Sequence, residues 1–109
     1  MLVAFILSSA QPSPEELRQY QLVNDGLSAR NRGEYELAAS NLKAAAEQGG
    51  FATYPAVFAT LELADHWHQA MGEPAERGGS LLLQAAKATG NPLFWFAWPE
   101  PGVSMYAER

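Results

Sequence analysis

The stretches Gly33-Glu34-Tyr35-Glu36 and Gly72-Glu73-Pro74-Ala75 decide the fold, because each one interrupts a long run of helical periodicity. In both, a glycine that can end one helix is followed by residues that can start the next. Two further stretches, Ala45-Ala46-Glu47-Gln48-Gly49 and Ala86-Lys87-Ala88-Thr89-Gly90, end the helix that follows each turn. The turn glycines lie 39 positions apart and the closing glycines 41 apart. The sequence therefore predicts a helical hairpin of about forty residues, present twice.

Four helices are expected between residues 13 and 90, at about 14–31, 34–48, 55–71 and 74–89. The first has a strong start at Ser13-Pro14-Glu15-Glu16, which supplies a capping hydroxyl, a proline at the first helical position and acids in the first turn. The connecting turns are short, so neighbouring helices must pack antiparallel. No stretch alternates over enough residues to predict a strand.

Each expected helix carries apolar side chains at three- or four-residue steps, which predicts one apolar stripe per helix. The stripes are Leu17, Tyr20, Val23 and Leu27 in the first; Tyr35, Ala38, Leu42 and Ala45 in the second; Val57, Leu61, Ala64, His68 and Met71 in the third; and Ala75, Gly78, Leu82 and Ala85 in the fourth. Small residues let helix backbones approach closely, so we expect Gly26, Ala38 and Ala45 at helix–helix contacts.

The first hairpin resembles a tetratricopeptide-type repeat. Gly26 lies where that family has a small residue in its first helix, Gly33 and Tyr35 fit the turn, and Ala38 fits the tight contact in the second helix. The longer spacing of the second hairpin, and the ending of the first at Gly49, are similar to a Sel1-like repeat. The resemblance implies an all-α fold of two antiparallel hairpins in a right-handed stack, followed by an irregular aromatic tail. An ordinary four-helix domain is the alternative.

The composition is that of one small globular domain, and it excludes several classes of function. The chain has 109 residues, of which 48% are hydrophobic and 17% are charged. Its formal net charge of −5 argues against a nucleic-acid partner, because phosphate binding needs clustered Lys and Arg. The absence of cysteine excludes disulfides, thiolate metal sites, cysteine nucleophiles and lipoprotein anchors.

The chain divides into an apolar N-terminal segment (1–12), a helical repeat domain (13–90) and a tail rich in proline and aromatic residues (91–109). Residues 1–7 are apolar but too few to span a membrane, which takes about twenty. Together with Ser8-Ser9-Ala10 they resemble the end of a secretory signal peptide that is cleaved after Ala10. This predicts a periplasmic or secreted protein. The alternative is a cytoplasmic protein in which this segment packs on the domain.

Residues 94–98 contain four aromatic side chains, the most unusual feature of the sequence. Pro92, Pro99 and Pro101 exclude a continuous helix there. Buried indoles supply a large apolar area, so the tail can lie across the helices as a plug, and we expect Trp95 or Trp98 to insert into a helical groove. The alternative is an exposed anchor for a protein or a membrane interface. No cations lie near the cluster, so a protein partner is preferred over a membrane.

His66 and His68 are the only histidines, and two residues apart on a helix they point about 200° from each other, so they cannot share a metal ion. Glu62 shares a face with His66, and Asp65 with His68, but either pair needs a third ligand from elsewhere. We expect a solvated acidic face with His68 turned toward the core, and no catalytic residue, metal or cofactor. A small enzyme or metal-dependent protein that uses these four side chains is the alternative.

The sequence predicts a non-catalytic protein–protein interaction module, or an accessory subunit of a larger assembly. The resemblance implies that the first helix of each hairpin lines a concave binding face. The residues expected to contact a partner are Tyr20, Val23, Leu27, Arg30 and Asn31 on the first helix and Phe94, Trp95 and Trp98 in the tail. Val23 and Leu27 are apolar where carboxylate-clamping members of the family have polar or basic residues. We therefore expect the ligand to be an apolar or extended segment.

Overall fold

Five helices form the part of the chain that the computed structural model describes, residues 12–96. They are α1 (Pro14–Asn31), α2 (Tyr35–Gln48), α3 (Tyr54–Gln69), α4 (Ala75–Thr89) and the short α5 (Leu93–Phe96). No strand occurs within residues 12–96, which confirms the all-α prediction. The four long helices agree with the predicted boundaries to within about two residues. None of the five helices is long and apolar enough to cross a membrane.

Local capping fixes where α1 begins. The Ser13 hydroxyl accepts a hydrogen bond from the Glu16 backbone N–H at 3.2 Å, and the Glu16 carboxylate accepts one from the Ser13 N–H at 3.2 Å. This reciprocal capping box satisfies two donors that a helix start otherwise leaves unpaired. At the other end of α1, Gly33 has a φ of +81°, a left-handed conformation that glycine adopts without strain. The chain reverses there into α2.

The turn between α2 and α3 contains a bulky residue in an unusual conformation. Phe51 has a φ of +61°, which is unfavourable for a side chain with a Cβ. Its ring is nevertheless part of the hydrophobic core, and burial of the ring offsets this local strain. Two residues later, the Thr53 hydroxyl caps α3 by accepting a hydrogen bond from the Ala56 N–H at 3.2 Å.

Each helix packs against the next one along the chain, and α1 also contacts α3. Leu42 of α2 and Leu63 of α3 are the largest fully buried apolar side chains. The predicted close contacts are confirmed, because Gly26, Ala38 and Ala45 are all buried. A Cβ added at Gly26 would lie 3.0 Å from Leu42 Cγ and 3.2 Å from the Ala38 carbonyl oxygen. Small residues therefore set the spacing between α1 and α2.

The buried face of α1 differs from the predicted stripe. The structure buries Gln19, Val23, Gly26 and Ala29. Leu17 and Tyr20, which belong to the predicted apolar stripe, are exposed. The physical reason is that α1 meets α2 through a glycine and meets the start of α3 through the polar Gln19, so hydrophobicity does not mark its contact face. Tyr35, at the start of α2, is likewise exposed, whereas the rest of the α2 stripe is buried.

The buried face of α3 differs from the predicted stripe, of which only Ala64 is buried and Val57, Leu61, His68 and Met71 are half-buried. Its buried residues are Pro55, Ala56, Ala59, Thr60, Leu63, Ala64, His66 and Trp67. His68, which was expected to turn toward the core, is half-buried, and the histidine that is fully buried is His66. The reason is that α3 contacts α1, α2 and α4, which together cover most of its circumference. In α4 the buried set contains all four predicted residues, Ala75, Gly78, Leu82 and Ala85.

Candidate functional site

Helices α1 and α3 lie side by side and run in the same direction. Near their first turns, the Thr53 hydroxyl donates a hydrogen bond to Gln19 Oε1 at 2.6 Å. Further along both helices, Arg30 Nη1 lies 3.1 Å from Glu62 Oε1 in an ion pair. Gln19 precedes Arg30 on α1 and Thr53 precedes Glu62 on α3, so the two contacts together fix a parallel arrangement.

Two stripes of side chains border this junction between α1 and α3. On α3, residues 54, 58 and 62 are four apart and therefore lie along one face. On α1, residue 27 lies one turn before Arg30, and residue 20 lies two turns before residue 27. The Arg30–Glu62 contact joins the two stripes at one end. We call these six residues the α1–α3 surface: Tyr20, Leu27 and Arg30 from α1, with Tyr54, Phe58 and Glu62 from α3.

The end of the α1–α3 surface near the helix starts is aromatic and open to solvent. Tyr54 is 84% exposed, Phe58 is 44% exposed and Tyr20 is 40% exposed. Removing apolar surface from water is favourable, so covering these side chains stabilises a complex. Tyrosine is well suited to such a contact, because its ring is apolar and its hydroxyl remains wet. The geometry therefore provides a surface whose burial is favourable.

The opposite end of the surface is occupied by the ion pair of Arg30 with Glu62. Both side chains are about 30% exposed, so solvent screens their attraction and the pair contributes at most about 1 kcal/mol. The guanidinium is already neutralised by a carboxylate of its own chain. It therefore does not offer an unpaired cation to a carboxylate ligand.

Gly49 holds the first turns of α1 and α3 close together. A Cβ at this position would overlap Thr53 Oγ1 and the Ala56 Cβ, and would lie 2.8 Å from Gln19 Oε1. Its φ of −90° is one that any residue adopts, so the requirement for glycine comes from the neighbouring atoms and not from the backbone. The hydrogen bond between Gln19 and Thr53 depends on this close approach.

The structure places the predicted partner residues of α1 in different environments. Tyr20 and Asn31 are exposed, and Leu27 and Arg30 are half-buried, so these four are accessible. Val23 is buried in the hydrophobic core. The assignment of Val23 to the binding face is therefore wrong. At this position α1 packs against α2 and α3, so the side chain points into the core.

Tyr54 and Phe58 belong to the surface but were not among the residues predicted from the sequence. Their four-residue spacing, outside the predicted stripe of the third helix, is the signal that could have found them. The spacing does not reveal that α3 packs next to α1, which places Tyr54 and Phe58 on a helix adjacent to the one that carries Tyr20.

The alternative cluster of Glu62, Asp65, His66 and His68 does not form a common metal site. Glu62 pairs with Arg30, and His66 Nε2 donates a hydrogen bond to the Tyr35 carbonyl at 2.9 Å. His68 Nδ1 donates to the Glu73 carbonyl at 3.0 Å. Within residues 12–96, no group of three or more His, Cys, Asp or Glu side chains could hold a metal ion. The buried His66 Nδ1 has no hydrogen-bond partner among the residues that the structure describes.

The aromatic tail is anchored by Phe94. This side chain is only 2% exposed and belongs to the hydrophobic core, which corrects its assignment as a partner contact. Trp95 is 44% exposed on the same short helix, so it does not insert into a groove. The Asn91 side chain caps this helix by accepting a hydrogen bond from the Leu93 N–H at 3.0 Å. Trp98 lies outside the described residues.

Comparison of the chain with protein-family models, with curated proteins and with solved structures finds no match. The resemblance to tetratricopeptide and Sel1-like repeats therefore stays a prediction from the sequence.

Proposed function

We propose that the protein is a non-catalytic protein–protein interaction module, or an accessory subunit of a larger assembly, and that it binds its partner through the α1–α3 surface. The observation that carries this proposal is the exposure of Tyr54 and Phe58, one helical turn apart, in the surface that also contains Tyr20. Aromatic side chains dominate the energetics of protein interfaces, because they bury a large area with few rotatable bonds.

The proposed ligand is an apolar or extended segment of a protein. The aromatic end of the surface favours apolar side chains, and the paired Arg30 gives little attraction for a free carboxylate. The net charge of −5 disfavours nucleic acid, because a phosphate backbone would be repelled. We propose the tail as a second contact, through Trp95 and Trp98. Phe94 fixes the tail to the core, so Trp95 is held in one place.

Two finer proposals rest on the sequence alone. One is that the two hairpins form a tetratricopeptide- or Sel1-like pair. The other is that the protein is periplasmic or secreted, because residues 1–10 resemble the end of a signal peptide, with a cytoplasmic location as the alternative. Amino-terminal sequencing of protein from its native source distinguishes the two locations. A start at Gln11 supports export, and retention of residues 1–10 contradicts it.

Affinity capture of partners from the native source tests the binding surface. The double variant Tyr54→Asp/Phe58→Asp places charges on the aromatic end, and we expect it to retain less than a tenth of the partner captured by the unmodified chain. Leu83→Asp is the matched control, since Leu83 is an exposed apolar side chain, at 40%, but lies on α4. Circular dichroism checks that both variants remain helical. Equal capture by the double variant and the control would contradict the proposal.

A further inference from the structure

We propose that the protein segment bound by the α1–α3 surface carries a lysine or arginine close to its apolar side chains, and that the carboxylate of Asp65 pairs with this basic residue. The inference rests on the proposed function, because it concerns the partner of the same surface. It adds a second requirement to that partner: apolar side chains cover the aromatic end of the surface, and a positive charge lies beyond it.

Asp65 continues the stripe of α3 that carries Phe58 and Glu62. Positions 58, 62 and 65 are separated by four and three residues, so the three side chains lie along one face of the helix. Asp65 is half-buried, and its carboxylate has no hydrogen bond or ion pair within residues 12–96. A carboxylate without a partner in its own chain can form a charge-assisted hydrogen bond with a cation from another chain.

The other charges near this stripe do not neutralise Asp65. Glu62 is paired with Arg30 at 3.1 Å. Helix α3 contains no Lys or Arg, and Arg18 precedes Tyr20 by two residues, so it lies on the opposite side of α1. The net charge of the whole chain, −5, has the same sign as the Asp65 carboxylate. A basic segment is therefore attracted both during approach and at the contact itself.

Segments without a basic residue fit this surface less well. An acidic side chain near Asp65 would place like charges together, which is unfavourable at an interface. A wholly apolar segment that covered the stripe would withdraw the Asp65 carboxylate from water without giving it a partner, which also costs free energy. A lysine or arginine supplies that partner.

The distance along α3 from the aromatic end to Asp65 indicates where the basic residue lies in the partner. Phe58 and Asp65 are two helical turns apart, which is about 10.5 Å along the helix axis. An extended chain rises about 3.3 Å per residue, so it covers this distance in about three residues. The lysine or arginine is therefore expected about three residues from an apolar side chain, before or after it according to the direction in which the segment runs.

Selection of random peptides displayed on phage, with the full chain as the immobilised target, tests the inference. The Tyr54→Ser/Phe58→Ser chain removes peptides that bind elsewhere. Serine is used at both positions because aspartate would add charges that attract basic peptides. We expect the selected peptides to combine apolar side chains with a lysine or arginine about three residues away. They should also contain less Asp and Glu than the starting library.

The affinity of the most enriched peptide is then measured by fluorescence anisotropy. Asp65→Asn removes the charge and keeps the shape of the side chain, and it should weaken binding about threefold to fivefold, as expected for an ion pair at a surface. Asp25→Asn is the matched control, because Asp25 is exposed on α1 about 140° around the helix from Tyr20, and it should leave the affinity unchanged. Replacing the basic residue of the peptide by glutamine should weaken its binding to the unmodified chain but not to the Asp65→Asn chain.

Two results would overturn the inference alone. One is a set of selected peptides that shows no excess of lysine and arginine over the starting library. The other is equal affinity of the Asp65→Asn and Asp25→Asn chains for the enriched peptide. In both cases, weaker binding by the Tyr54→Ser/Phe58→Ser chain would still support the proposed function. If no peptide distinguishes that chain from the unmodified one, the inference and the proposed use of the surface both fail.

Discussion

Replacing Gly49 by alanine is expected to destabilise the protein strongly, although glycine to alanine is usually a mild change. The new Cβ would overlap Thr53 Oγ1 and the Ala56 Cβ, and would lie 2.8 Å from Gln19 Oε1. Real Cβ atoms do not approach other heavy atoms this closely, so the starts of α1 and α3 must move apart. Overpacking of this kind costs about 1–3 kcal/mol.

The same movement removes the hydrogen bond between Thr53 and Gln19, which now has a length of 2.6 Å. Because Gln19 is buried, losing this bond costs about 1 kcal/mol more. The total expected loss in the free energy of unfolding is about 2–4 kcal/mol. For a domain of this size, it corresponds to a fall of about 8–16 °C in the melting temperature.

Urea and thermal unfolding followed by circular dichroism at 222 nm measure this effect. Gly79→Ala is the matched control, because a Cβ at Gly79 meets no atom within 4 Å in the interior of α4. There alanine should raise the free energy of unfolding by up to about 1 kcal/mol through its helix propensity. If Gly49→Ala changes the free energy of unfolding by less than about 0.5 kcal/mol, the close junction of α1 with α3 is incorrect.

Three further predictions test other parts of the structure. Ala38→Leu should lower the free energy of unfolding by about 1–3 kcal/mol, because the larger side chain overpacks the contact of α2 with α1, and an unchanged melting temperature would contradict this packing. Phe94→Ala should cost about 3 kcal/mol and Trp95→Ala clearly less, since Phe94 is 2% exposed and Trp95 is 44% exposed; comparable losses in urea unfolding would contradict this assignment. Protein purified without a tag should contain no stoichiometric zinc or iron by mass spectrometry, because His66 Nε2 is bonded to a backbone carbonyl, and metal that is lost on His66→Ala would refute this expectation.

Helix boundaries were predictable from the sequence because they depend on local signals. The capping box at Ser13 and Glu16, and the left-handed glycines at 33 and 90, act within a few residues of the helix ends that they define. The all-α class followed from these signals. The buried set of α4 was also predictable, because its small and apolar residues fall on a single face.

The faces of α1 and α3 were less predictable, because they depend on which helices become neighbours. Gln19 is buried through its contact with Thr53, 34 positions away in the sequence, and no pattern within α1 indicates that contact. His66 is buried because its ring meets the start of α2, where its Nε2 bonds to the Tyr35 carbonyl. The candidate surface was found in part: Tyr20, Leu27 and Arg30 were predicted, but Tyr54 and Phe58 join them only through the parallel packing of α1 with α3.

Site-specific photocross-linking in the native source tests most directly whether the α1–α3 surface contacts the partner. A benzophenone amino acid is placed at Tyr54 in one chain and at Leu83 in another, because both side chains are exposed but they lie on different helices. We predict that light links the partner to position 54 and not to position 83. Cross-linking at position 83 alone, or to the same extent at both positions, would contradict the assignment of partner binding to this surface.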